Sequence, residues 1–193
     1  ARHFECEPLP LLMSLNIGDA PPDFHLANAN TAIGGSQMSL EQAFCRNGLV
    51  VVFECNHCPY VVASVSRMNA MAEFCQQNEI GYVGINSNDP LVYENDSFAN
   101  MEKRALKGMP YAYLHDSEQD VAHAYGAERT PEFFLFNSQH QLVYKGRMDD
   151  SPRDPSDVMV RDLDQAITAM LNGTAPDVPV TQSIGCSVKW KLR

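Results

Sequence analysis

At 193 residues, with 45% apolar and 20% charged side chains, the chain is long enough to bury one full core and too apolar to be disordered on a large scale. A formal charge of −10 excludes nucleic acid as a partner, because phosphate backbones are held by clustered Lys and Arg and no basic stripe occurs. No apolar run approaches the roughly 20 residues that cross a bilayer, so no membrane partner is expected; six cysteines are too few for a disulfide-dense secreted scaffold and point to a reducing cytoplasm, with a periplasmic or secreted location left open.

Residues 1–16 read as an N-terminal extension. Pro8 to Leu15 is apolar but short, and Glu5 and Glu7 precede it where a secretory signal carries basic residues; Met13 offers an alternative start. Asp19 to Leu26 is an extended entry segment, and the Asn- and Gly-rich stretch 28–36 a turn. Ser39, with Gln42 three residues on, caps a short helix through Phe44, and Cys45 near its end reads as a small buried or half-buried side chain. Leu49 to Phe53 is an unbroken, mostly β-branched run, the pattern of a strand buried on both faces. Glu54 follows and reads as a solvated turn residue rather than a proton acceptor. Then come Cys55-Asn56-His57-Cys58 and Pro59, whose missing amide hydrogen suits the first position of a helix.

That helix should reach about Asn78. Cys58, Val61, Val65, Met68, Ala72 and Cys75 recur at steps of three and four and share one face, which makes Cys75 and Met68 packing residues. Ile80 to Asn86 is the next strand; Asn86 and Asn88 fall at its carboxyl end, the edge where sites form in open α/β sheets. A helix over Glu94 to Lys107, a strand over Met109 to His115 and a helix from an Asp116-Ser117-Glu118 cap to Tyr125 follow, the last closed by Gly126. Arg129-Thr130-Pro131 leads into a strand through Phe136, and a hairpin returns over Leu142 to Arg147. The closing helix spans Asp157 to Leu171, with Val160, Leu163, Ile167, Met170 and Leu171 on its buried side. The remaining tail is extended and carries the one tryptophan. His115, His123 and His140 read as surface or loop residues.

Strand, Cys-x-x-Cys, helix is an arrangement with chemical content. Unsatisfied amides at a helix start favour a thiolate over a thiol, lowering a cysteine pKa from about 8.5 towards roughly 3.5 to 7.5. Two intervening residues let the second sulfur close a small disulfide ring, and His57 between them tunes the pair. Cys55, nearer the strand end and expected to be more exposed, is the attacking thiolate in this reading, and Cys58 resolves the mixed disulfide. A structural zinc site needs four ligands; the motif supplies two, Cys186, His57 or His115 would have to complete it, and no second paired motif exists. No metal and no organic cofactor are expected.

Cys55-Asn56-His57-Cys58 together with Thr130-Pro131 resembles the thioredoxin superfamily. Gly18-Asp19-Ala20-Pro21-Pro22-Asp23-Phe24 and Ile184-Gly185-Cys186-Ser187-Val188-Lys189-Trp190 are similar to peroxiredoxin-like redoxins of the AhpC/TSA type that carry such a motif. The resemblance implies an α/β thioredoxin-like fold: a mixed central sheet flanked by helices, an N-terminal hairpin, a domain over 17–172 and a C-terminal tail, 173–193, folding back on it. It also implies a cis bond before Pro131, turning Thr130 towards the sulfurs so that an extended substrate adds beside them as a strand. The implied function is thiol-disulfide exchange through Cys55 and Cys58, supported by Asn56, His57, Thr130 and Pro131. Its partners are protein or small-molecule disulfides and a thioredoxin- or glutathione-type reductant.

A thiol-dependent peroxidase, a peroxiredoxin-like antioxidant taking peroxides, reverses the two roles, since peroxiredoxins place their attacking cysteine at Cys58. Their accompanying Thr and Pro positions hold Cys55 and Val51, and their Arg has no match beyond the neighbouring Arg129. A non-catalytic metal-binding or redox-sensing module is the third reading. Cys186 reads either as a further redox or substrate-gating thiol or as a passively buried residue of a tail anchored by Trp190.

Overall fold

In the computed structural model, which describes residues 14–192, the expected N-terminal hairpin pairs β1 (His25–Asn28) antiparallel with β2 (Gln37–Ser39). Its turn is held from inside: the Asn28 amide donates to the carbonyls of Asn30, Ile33 and Gly35 at 3.1, 2.7 and 2.8 Å. Ser39 and Gln42 form both bonds of the capping box at the head of α1 (Leu40–Ala43). Cys45 is exposed, contrary to expectation, because it falls beyond the helix in a tight turn where Cys45 and Gly48 exchange backbone hydrogen bonds.

All residues of β3 (Gly48–Phe53) are buried, as the apolar run requires. Val50 and Val52 face one core and Leu49, Val51 and Phe53 the other. Each such side chain stabilises the fold by about 1.5–3 kcal/mol relative to exposure. The predicted single helix after the motif is two: α2 (Pro59–Val62) and α3 (Val65–Gln77). Ser64 makes the break. Its hydroxyl takes the Tyr60 carbonyl at 2.7 Å, while its amide tightens onto Val61 at 2.9 Å. The predicted face survives the break, with Val61, Met68, Ala72 and Cys75 buried; burial pushes the Cys75 thiol up to about 12.

β4 (Ile80–Asn86) ends where expected, but the next helix starts late. A 3-10 turn covers Glu94–Asp96, and Ser97 caps α4 (Phe98–Ala105) by accepting from the Asn100 amide at 3.2 Å. β5 (Ala112–His115) leads to α5 (Asp120–Tyr125); Asp116 caps it from a distance, accepting from the amides of Val121 and Ala122. β6 (Arg129–Thr130), β7 (Glu132–Asn137) and β8 (Leu142–Gly146) precede α6 (Asp162–Leu171). That helix also begins later than predicted, because Pro155–Asp157 forms a separate 3-10 turn capped by Asp154; Val160 is left outside it and exposed, and Leu171 at its far end is exposed too. The tail contributes β9 (Cys186–Ser187).

Three hydrogen-bonded sets of strands result, β2-β1-β5-β4, β3-β7-β8 and the two-stranded β6-β9. β3 and β4 run side by side in the same direction, tied by Asn47 N to Glu79 O and Glu54 N to Ile85 O, both at 2.9 Å. The sheet is therefore mixed: β4 and β5 are parallel, while β7 is antiparallel to both β3 and β8. α3 and α6 pack on one face and α1 and α5 on the other. The carboxyl ends of β3 and β4 lie together, which puts the cysteine motif beside the loop after Asn86.

Candidate active site

Cys58 is the N-cap of α2 and Pro59 its first residue. The expected difference in exposure is absent: Cys55 and Cys58 are each 1% exposed, as free thiols. The cover comes from across the sheet. The Thr130-Pro131 bond is cis; Thr130 Oγ1 lies 3.5 Å from Cys55 Sγ and Thr130 O lies 3.5 Å from Cys58 Sγ. Cys186 stands opposite Thr130 in the antiparallel pair of β6 and β9, packed against the same core cluster as the two sulfurs.

The charge distribution within the pair also departs from expectation. Hydrogen bonding from the Cys55 thiol, and less strongly from Cys186 and the Val61 amide, pulls Cys58 down to about 4 against the cost of its burial. Cys55, the donor in that bond and itself buried, is pushed up. The Thr130 carbonyl is a competing acceptor for a Cys58 thiol, but several donors to the sulfur outweigh one acceptor. Hydrogen bonds to its sulfur thus favour the thiolate at Cys58 more than the macrodipole of a four-residue helix does.

The two residues between the cysteines are clamped by a buried carboxylate that the sequence did not single out. Asp96 is fully buried. It accepts from the Asn56 amide at 2.7 Å, Asn86 Nδ2 at 3.1 Å and Asn88 Nδ2 at 3.0 Å. Its Oδ2 is 2.7 Å from His57 Nδ1, in ion-pair reach although not aligned as a hydrogen bond. His57 stacks on Tyr93 at 4.2 Å, and the Asn56 side chain accepts from Tyr113 Oη at 2.7 Å and donates to Asn95 O at 2.7 Å.

Beneath the motif, Glu54 is fully buried and not the solvated turn residue expected. It pairs with Arg104, which also donates to Cys55 O at 3.2 Å, and it accepts from Tyr111 Oη at 2.7 Å. Gly84 makes the room, since a Cβ there would come within 2.7 Å of Glu54 Oε2.

The Redoxin family's sequence model matches residues 16–167. The chain belongs to the Redoxin family. Among solved structures, this redoxin is similar to an uncharacterized conserved protein from Geobacillus kaustophilus: 37% identity over 91% of this chain and 93% of that one, TM-score 0.84. It is also similar to a hypothetical protein from Sinorhizobium meliloti 1021, with 34% identity over 92% and 96% and TM-score 0.84. A secreted Mycobacterium tuberculosis disulfide oxidoreductase homologous to E. coli DsbE shares the fold, at 14% identity over 78% and 95% and TM-score 0.54. No curated protein matches the sequence. Family and fold make the chain a thioredoxin-fold redox protein.

Among the described residues of this redoxin, the metal-type donors that come together are Cys55, His57 and Asp96, all within 4.8 Å of one another. They are not the set drafted from sequence. His115 lies apart, stacked on Phe98, where burial lowers its pKa, and Cys186 faces Cys58 from the tail. Three donors, one of them a carboxylate already holding three amide N–H groups, fall short of a closed four-ligand zinc site. Among the described helices none is long and apolar enough to cross a membrane.

Proposed function

We propose that this redoxin is a thiol-disulfide oxidoreductase working by dithiol/disulfide exchange between Cys55 and Cys58. The observation that carries the reading is the placement of two free thiols, Cys55 and Cys58, at the head of α2 against the cis Thr130-Pro131 bond, with hydrogen bonds that lower the Cys58 pKa. A thiolate is the attacking species in exchange, and a protonated neighbour in contact with it is the resolving thiol. Cys58 Sγ attacks one sulfur of a substrate disulfide. A Cys58–substrate bond forms, and the other substrate sulfur leaves as a thiolate. Cys55, passing its proton to a departing substrate sulfur, then attacks Cys58 Sγ and expels the second half of the substrate from it. The substrate gains two electrons, and the protein is left with a Cys55–Cys58 disulfide for a thioredoxin- or glutathione-type reductant to open. Thr130 and Pro131 flank the sulfurs, Asn56 and His57 hold their spacing through Asp96, and protein disulfides are the substrate class.

One observation favours a second reading, a thiol-dependent peroxidase. The cysteine with the depressed pKa is the one aligned with the peroxide-attacking residue of peroxiredoxins, and a site 1% exposed admits a small peroxide more easily than a protein. There Cys58 takes one oxygen from the peroxide, releasing the alcohol or water, and Cys55 condenses with the sulfenic acid, releasing water. Insulin reduction and hydrogen peroxide consumption, each driven by a thioredoxin system, separate the two. Disulfide exchange predicts insulin turnover that falls at least about 1000-fold in Cys58→Ser, in keeping with loss of an attacking nucleophile. Peroxide turnover without insulin turnover favours the peroxidase. Stoichiometric metal after purification, with neither turnover, overturns both in favour of a metal-holding or sensing module.

A further inference from the structure

The edge at which a thioredoxin-fold protein would take an extended substrate is filled by the chain itself. β9 lies antiparallel on β6, with Cys186 opposite Thr130 and Ser187 opposite Arg129. The approach is close enough to demand glycine at the preceding position: a Cβ on Gly185 would stand 2.0 Å from Thr130 O. Arg129 donates to Gly185 O at 3.3 Å, and the Val188 amide donates to Glu128 O at 2.9 Å. A main-chain ladder at an open edge with a side chain set into the neighbouring site is how a bound peptide strand is held. Here the inserted side chain is a thiol, packed against the same buried cluster as Cys55 and Cys58 and opposite Thr130, whose carbonyl lies 3.5 Å from Cys58 Sγ.

The segment is tethered on both sides by contacts outside the short ladder. Upstream, Ser183 Oγ donates to Glu132 Oε1 at 2.7 Å; downstream, the Lys189 amide donates to Asn88 Oδ1 at 2.8 Å and Trp190 stacks on His123 at 4.3 Å. Cys186 is therefore kept beside Cys58 at a high effective concentration while its own pairing is only two residues long.

We propose that β9 is a tethered substrate strand whose Cys186 exchanges with the active pair, converting a Cys55–Cys58 disulfide into a Cys58–Cys186 disulfide. This rests on the proposed redox role of Cys55 and Cys58. Cys186, having lost its proton to water, attacks Cys58 Sγ. The Cys186–Cys58 bond forms as the Cys58–Cys55 bond breaks, and the electron pair leaves on Cys55, which takes up a proton. No net oxidation occurs and no further reactant is needed. In the exchanged form the disulfide lies between domain and tail, with Cys55 free. Burial, with Cys58 beside it, holds the Cys186 thiol at about 11 in the reduced form; oxidation of Cys58 removes that neighbouring charge and eases the attack.

The test is disulfide mapping by peptide mass spectrometry under non-reducing conditions. Full-length Cys55→Ser is oxidised with excess oxidised glutathione, and Cys55→Ala, which leaves no hydroxyl in the buried site, is run beside it. The expected product in at least one folded variant is an intramolecular Cys58–Cys186 link, at least tenfold more abundant than any link to Cys45 or Cys75. Cys58 carrying glutathione while Cys186 stays free overturns the proposal. Wild-type protein oxidised in the same way separates the two levels. If a Cys55–Cys58 link forms there but the variants give no Cys58–Cys186 link, only this inference fails; if no link involving Cys58 forms, the proposed function fails with it.

Discussion

The two walls of the site are held by different physics. On the motif side, Asn56, His57 and the main chain of Cys55 are fixed by largely buried groups: Asp96 with its amide donors above, and Glu54 with Arg104 and Tyr111 below. On the tail side, Cys186 is held by a two-residue ladder and by half-exposed polar and stacking contacts. Buried ionic networks are costly to break because each member is left uncompensated, whereas exposed contacts trade with water at little cost. One wall is thus built to stay and the other can leave.

The largest effect should come from the rigid wall. Glu54→Gln strands the Arg104 guanidinium in the interior, and a urea titration should show a loss of about 3–5 kcal/mol. A loss under about 1 kcal/mol would mean that the exposed part of Arg104 recovers its hydration without Glu54 and the wall is softer than described.

Gly185→Ala acts on the movable wall. A Cβ that would sit 2.0 Å from the Thr130 carbonyl must push β9 off the edge. Iodoacetamide should then modify Cys58 more than about tenfold faster than in the wild type, because the thiolate is already present and only access was limiting. An unchanged rate would show that β9 is not what shields the sulfur.

Trp190→Ala is the smallest perturbation, removing the stack on His123 from the far end of the strap. A stability loss of about 1 kcal/mol is expected. Hydrogen exchange should quicken at the Val188 amide and not in β3. Equal quickening in both would join the tail to the global unfolding unit and erase the distinction between the walls.

The same division explains what could be read from the sequence. Local chemistry was legible: the apolar run of β3, Pro59 after Cys58, the Ser39–Gln42 box and the three–four spacing that buries Cys75. Contacts that depend on distant partners were not. Glu54 looks like a turn residue until Arg104 arrives beneath it, and nothing local distinguishes Asp96 from Asp89 or Glu94 in the same loop. Asn86 and Asn88 carried the faint signal, since two amides at a carboxyl strand edge need an acceptor, and Asp96 is that acceptor. The exposure of the pair was also out of reach. Position suggested Cys55 as the more exposed sulfur, but both are buried, under Thr130 from across the sheet. The helix starts at Phe98 and Asp162 were displaced by nearby 3-10 turns that compete for the same residues.

The reduction potential of the Cys55–Cys58 couple, measured by equilibration with glutathione buffers from pH 5 to 8, tests the central claim most directly, because an equilibrium is indifferent to how slowly a covered sulfur reacts. With Cys58 ionised down to about 4 and Cys55 protonated throughout, reduction takes up one proton for two electrons. The potential should therefore fall by about 30 mV per pH unit. The extra thiolate stabilisation should also make it less negative at pH 7 than thioredoxin's roughly −270 mV. A slope of about 60 mV per pH unit, with a value at or below thioredoxin's roughly −270 mV, would mean that both sulfurs carry protons in the reduced protein and would contradict the account.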